Sequence, residues 1–203
     1  MKKVYVWLMN GFADWEASYV CAELNKPESG CEVKTIAEDL LPKTSMGGFR
    51  VLPELALPAD PADLDMTMLI LPGGLGWSDS EADHAPAASL VRFCFEHGIE
   101  VAAICDATTF LGKHGFLDHD AHTGNTLEYL KLGAPAYAGD KHYIDAQAVS
   151  SGSLITANGS GAVEFSKLIL AKLEVLQGEA LEQWYHIFKQ GYFSEVLTLP
   201  AIK

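Results

Sequence analysis

The sequence predicts an α/β fold, with a mostly parallel sheet covered by helices on both faces. Three observations predict it. Apolar runs of strand length alternate with amphipathic stretches of helix length through most of the chain. The runs at residues 66–71 and 99–104 are almost wholly apolar, as in strands buried on both faces. Glycine and proline punctuate the joints between runs.

Residues 4–9 open the chain as a first strand, and residues 13–26 follow as a helix whose Trp15, Tyr19, Val20 and Leu24 approximate one face. Gly30 leads into a second strand, Cys31–Ala37, and residues 46–51 read as a hairpin or short excursion. Pro53, Pro58 and Pro61 interrupt the chain before the strand at 66–71, which ends in Pro72-Gly73-Gly74. A helix at 85–97 stops at Gly98. The strand 99–104 then runs into Cys105 and a helix-compatible stretch, 106–112. Gly115 closes a turn, residues 118–125 form a polar link, and a short helix lies near 126–132. Residues 147–150 and 154–157 flank the turn Ser151-Gly152-Ser153, so the sheet is expected to turn antiparallel at its edge. Asn158-Gly159-Ser160-Gly161 opens a helix at 162–176. A final amphipathic helix at 179–190 bears Trp184, Tyr185 and Phe188. No repeat or low-complexity tract interrupts the series, so one domain over residues 1–203 is expected.

Composition narrows the function. The 203 residues are 49% hydrophobic and 20% charged, as expected of a globular protein with one substantial core. No apolar run approaches the roughly 20 residues that span a bilayer, and Met1-Lys2-Lys3 leads straight into the first strand without a small-residue cleavage site. Cys21, Cys31, Cys94 and Cys105 lack metal-type pairing and read as thiols, so a cytoplasmic location is expected. A formal charge of −13 with no basic run argues against nucleic acid and anionic membranes as partners. Gly73-Gly74-Leu75-Gly76 lacks dinucleotide spacing and no phosphate-binding loop is present, so no cofactor is expected.

Cys105 is the main functional clue. A cysteine on a tight strand-to-helix turn projects its sulfur from the carboxyl end of a sheet, beside the free N–H groups of a helix. Such an elbow crowds the positions two before and two after, which here are Ala103 and Ala107. A buried structural thiol ending a core strand accounts for the segment equally well. Gly73-Gly74 offers side-chain-free N–H groups for an oxyanion site, or a plain turn. Glu16 reads either as a carboxyl kept protonated near Trp15, able to donate to a thiolate, or as an acid favoured by the helix dipole. Asp14 is the better candidate for that second role. Asp106 pulls two ways: a carboxylate ~5 Å from a thiolate costs about 3 kcal/mol at an effective dielectric near 20, against ~0.3–1 kcal/mol returned by the helix end. The turn directs successive side chains apart, so Asp106 is expected to point away and the thiol to be activated. His119 and His122 lie in Asp118-His119-Asp120-Ala121-His122, a loose cluster without further ligands at structural-zinc spacing, so no metal is expected.

These pieces, in this order, resemble the PfpI-type (DJ-one) superfamily of the class I glutamine amidotransferase-like fold. The resemblance rests on Ala13-Asp14-Trp15-Glu16, on Leu69-Ile70-Leu71-Pro72-Gly73-Gly74, on Ala102-Ala103-Ile104-Cys105, and on Leu154-Ile155-Thr156-Ala157-Asn158-Gly159 with Glu164-Phe165. A bacterial subgroup described as intracellular proteases, sharing His122-Thr123-Gly124-Asn125, resembles the chain more closely. The resemblance implies a flavodoxin-like three-layer sandwich, Cys105 as nucleophile and Glu16 as its protonated partner. It also implies N–H groups of Gly74 and Asp106 as oxyanion donors, and a homodimer. The base departs from the family: Asp106 and Asn125 stand where its members carry a histidine, which leaves His122 and Asn125 as base or site-lining candidates.

Two function classes follow. One is a cysteine-dependent hydrolase acting on a small amide, peptide or carbonyl adduct. The other is a stress-response thiol protein oxidised at Cys105 without turnover. A third class, an oligomeric binding module, would use the aromatic face of 179–190, whose plainer role is packing against its own domain.

Overall fold

The computed structural model describes residues 1–78 and 84–192, so the one-domain expectation extends at 79–83 and 193–203 beyond the described residues. Along the chain come β1 (Lys2–Trp7), α1 (Ser18–Leu24), β2 (Cys31–Ala37), β3 (Lys43–Thr44), β4 (Arg50–Val51), β5 (Leu55–Ala56) and β6 (Met68–Leu71). They are followed by α2 (Ala85–Glu96), β7 (Glu100–Ile104), α3 (Asp106–Lys113), α4 (Leu127–Gly133), β8 (Ala148–Ser151), β9 (Leu154–Ala157), α5 (Ala162–Lys172) and α6 (Gly178–Gln190). Seven strands form one sheet in the order β5-β2-β1-β6-β7-β9-β8, while β3 and β4 pair as a separate antiparallel ribbon. Every pairing in the large sheet is parallel except β8 with β9. This is the expected flavodoxin-like arrangement, and its ligand crevice lies at the carboxyl ends of the strands.

The period of two along the strands creates two cores. Val4, Val6, Met68, Ile70, Ala102 and Ile104 face a layer that includes Val20 of α1, Phe165 and Ile169 of α5, and Trp184 of α6. Their neighbours Tyr5, Trp7, Leu69, Leu71, Val101 and Ala103 face Leu90 and Val91 of α2, Phe110 and Leu111 of α3, and Leu130 of α4. Strands buried on both faces need apolar residues at every position, and all four side chains of β6 are fully buried. Each such large aliphatic contributes roughly 1.5–3 kcal/mol through burial.

Two helices differ from their expected bounds. The first begins at Ser18, five residues later than the sequence pattern places it. Long-range bonds take up the preceding segment: the Ala13 N–H donates to Gly73 O at 3.0 Å, and Phe12 bridges Gly74. Asp14, expected at a helix start, instead accepts the Gly47 N–H at 2.7 Å and ties this segment to the β3–β4 ribbon. Glu16 therefore sits in the turns before α1, not in its first turns. α5 stops at Lys172, four residues short, and Glu174 beyond it takes a left-handed φ of 55°. The last helix packs on its own domain: Leu181 and Trp184 are buried, and Phe188 meets the Tyr19 ring edge-on at 5.2 Å. No described helix is long and apolar enough to cross a membrane.

Candidate active site

Cys105 joins β7 to α3 with φ 60° and ψ −128°, a conformation an L-residue adopts only when its surroundings impose it. Several contacts impose it here. Its N–H donates to Ala157 O at 2.9 Å, and its carbonyl accepts the Thr108 N–H at 3.0 Å and the Thr108 hydroxyl at 2.6 Å. Ala103 and Ala107 are fully buried beside it. Gly73 passes so close that a methyl group there would lie 2.6 Å from Cys105 Cβ and 2.7 Å from Ile104 O. The elbow thus depends on a side-chain-free loop after β6, the Pro72-Gly73-Gly74 segment.

The same loop holds Glu16. The carboxyl is fully buried, its Oε2 accepts the Gly73 N–H at 2.5 Å, and its Oε1 has no settled hydrogen bond among the described residues. Burial pushes its pKa up to about 7; the Gly73 N–H and the Cys105 side chain pull the other way, and the charge of Asp106 adds to the rise. The carboxyl and the thiol are close enough to shift one another's titration. Burial, followed by the charge on Glu16, pushes the Cys105 thiol up to about 12. This overturns the expected activated thiol. Taking sulfur out of water and placing a carboxyl beside it outweighs the helix end and favours the neutral thiol.

Asn125 completes the surroundings of the sulfur. Its Nδ2 donates to Cys105 Sγ at 3.5 Å, and its Oδ1 accepts the Gly159 N–H at 2.9 Å, which fixes which end of the amide faces the thiol. That donation favours the thiolate and opposes the effect of burial. Gly159 backs the sulfur directly, since a methyl group there would lie 2.9 Å from Sγ. Among the described residues the N–H groups of Gly74 and Asp106 donate to no backbone carbonyl. Gly74, at φ 123°, leaves no room for a side chain: a Cβ would meet Gly11 O at 2.1 Å.

Asp106 interacts with the Tyr129 hydroxyl, which it pushes up to about 12, and its charge also raises the pKa of Cys105. His122 is not brought to the thiol. Its Nδ1 bonds Asp120 O at 2.7 Å and its Nε2 bonds the Tyr137 hydroxyl at 2.6 Å. A carbonyl only accepts, so Nδ1 carries the proton and Nε2 of the neutral ring accepts from Tyr137. Burial lowers the His122 pKa and keeps the ring neutral. No cluster of potential metal ligands occurs among the described residues. Gly159, Tyr129 and Tyr137 carry contacts that the sequence reading did not single out. For Gly159 the signal was available, as a glycine directly after the strand neighbouring the cysteine strand.

The DJ-1/PfpI family's sequence profile matches residues 2–172. A Bacillus subtilis protein named as the uncharacterised protease YoaZ is 34% identical over 207 residues, covering 97% of each chain. A ThiJ/PfpI family protein from Bacillus anthracis superposes with a TM-score of 0.85 at 36% identity, covering 93% of this chain and 90% of its own. A DJ-1 superfamily protein from Agrobacterium tumefaciens superposes with a TM-score of 0.83 at 37% identity, covering 94% and 98%.

Proposed function

From the premise that the chain belongs to the DJ-1/PfpI family, we propose that it is a cysteine-dependent hydrolase of small amides, peptides or carbonyl adducts. Cys105 is its nucleophile, and Glu16 exchanges the proton. The observation that carries this reading is a buried carboxyl titrating near 7 beside the thiol. A base poised near the working pH combines the right protonation state with useful driving force. As sulfur attacks a carbonyl carbon, the thiol proton passes to Glu16 and the carbonyl oxygen takes up negative charge. The N–H groups of Gly74 and Asp106 are the donors assigned to that oxyanion. When the C–N bond breaks, Glu16 returns the proton to the leaving nitrogen. It then takes a proton from the water that releases the acyl group, and sulfur recovers its own. Asn125 holds the sulfur in line and takes no proton. The protease name carried by the B. subtilis relative fits this chemistry.

The second reading is a thiol protein oxidised at Cys105 without turnover. The engagement of both His122 nitrogens favours it, since the familiar histidine base is then lacking. Burst labelling and steady-state assays on amide, ester and glyoxal substrates separate the two. Turnover that disappears in Cys105→Ala and falls ~10²–10⁴-fold in Glu16→Gln, losing its rise through pH 7, is the expected result. Labelling or sulfinate formation with no turnover assigns the second reading. The family reading also carries a homodimer, and the unpaired cysteines of the sequence a cytoplasmic location; sedimentation equilibrium and cell fractionation test them.

A further inference from the structure

Thr156 is the one polar residue of β9, and it is fully buried in a strand where valine would fill the same space with no polar group to satisfy. We propose that Thr156 is a positioning residue for Cys105: its hydroxyl holds the segment 123–125 on the sheet, and that segment delivers the Asn125 amide to the sulfur. This rests on the reading of Cys105 as the attacking atom and names what sets its reactivity.

Three observations carry it. Thr156 Oγ1 accepts the Thr123 N–H at 2.8 Å, and the Thr123 hydroxyl donates to Ala146 O at 2.9 Å, so residue 123 is held at two points. His122, Thr123 and Gly124 are buried although they belong to no strand or helix, and backbone groups in such a place need fixed partners because water cannot serve them. Asn125 is then held by the same strand end. Gly159, three residues after Thr156, donates its N–H to Asn125 Oδ1 at 2.9 Å, which leaves Nδ2 for Cys105 Sγ at 3.5 Å. Between the two anchors, Gly124 passes so close to α3 that a Cβ there would lie 2.8 Å from Thr108 Oγ1, the hydroxyl that bonds Cys105 O. The segment is wedged between β9 and the elbow, so a shift at Thr123 moves Asn125 relative to the sulfur. Donation by the amide favours the thiolate. Its loss leaves burial, Glu16 and Asp106 without that opposing contact.

The test needs no substrate. Iodoacetamide alkylation of Cys105 is followed against pH by peptide mass spectrometry, with Cys31 as the internal reference. Glu16, Asp106 and Tyr129 are the titratable groups coupled to the thiol, and Thr156 carries no charge of its own, so a displaced profile reports the amide. Thr156→Val should move the profile to higher pH and lower the rate near pH 8 about tenfold, roughly the loss of one hydrogen bond to a charged atom. Thr156→Ser, which keeps the hydroxyl, should restore it. In an Asn125→Ala background Thr156→Val should add nothing, because the contact it positions is already gone. Ser166→Ala removes a different buried hydroxyl, one that bonds Ala162 O within α5, and should leave the profile in place. An unmoved profile in Thr156→Val, no recovery in Thr156→Ser, or a full second shift on top of Asn125→Ala would overturn the proposal. Should Thr156→Val not fold, Thr123→Ala cuts the bond to Ala146 O instead; a shift in the same direction is expected, and no shift overturns the anchor. Labelling that behaves as expected in a protein that turns over no amide, ester or glyoxal substrate defeats the hydrolase and leaves the positioning role standing. Turnover lost in Cys105→Ala, with an unmoved profile in Thr156→Val, does the reverse.

Discussion

At the scale of single residues, Glu16 makes folding and chemistry respond to the same proton. Its pKa in the folded chain is about 7, against 4.5 for an unperturbed glutamate, so between these values the folded state binds the proton that the unfolded state has released. The stabilisation is fully present below about pH 4.5 and is lost as pH rises through 7. Its size is on the order of 3 kcal/mol. Glu16→Gln keeps a neutral group and escapes this loss, so urea midpoints of wild type and variant should converge at low pH and diverge by pH 8, with the variant the more stable. Parallel curves would mean that Glu16 ionises at its ordinary value. The position of Cys105 at the carboxyl edge was legible in the sequence because it directly follows a strand, whereas Glu16 was placed by a helix start that lies two residues beyond it. The state of the thiol was not legible, because burial is a property of the packed site, and the expected activation did not survive it. Asn125 stood among the site-lining candidates, but that its amide nitrogen faces the sulfur was not legible, because it depends on the Gly159 N–H holding the other end of the amide.

At the scale of elements, the β6 loop and the β7–α3 elbow form one unit. Gly73→Ala forces a methyl group against Cys105 Cβ, Ile104 O and the Asp106 N–H, two of which are backbone atoms that cannot rotate away. The expected cost is about 1–3 kcal/mol in thermal or urea unfolding. Iodoacetamide labelling of Cys105 should also slow, because the elbow must move. Normal stability with normal labelling would show that the loop yields and that the close approach does not hold the elbow. Apolar runs and glycine stops located the strands of the parallel core except the two-residue β5, which lies in the proline-interrupted stretch, and most helices. They failed at α1, whose periodicity extends back to Ala13 although the chain there is bound to Gly73 and Gly74. Periodicity reports which side chains want burial, and partners far along the chain decide whether the backbone is helical.

At the scale of the whole molecule, the sheet separates two cores, and α6 closes the one formed with α1 and α5. Trp184, 6% exposed, is its anchor. Trp184→Ala should cost about 3–5 kcal/mol of stability while leaving the sedimentation coefficient of the folded protein unchanged. A change in association with little loss of stability would instead make α6 a contact between copies.

The sheet ends in β5, two residues long, on one side and in β8, four residues long and antiparallel, on the other. Strands this short offer few unpaired amides to another chain, so neither margin is a template for continuing the ladder from molecule to molecule. The consequence is colloidal: partly opened copies at high concentration lack a ready seam for stacking into fibrils, and any specific pairing falls to helices or to the β3–β4 ribbon.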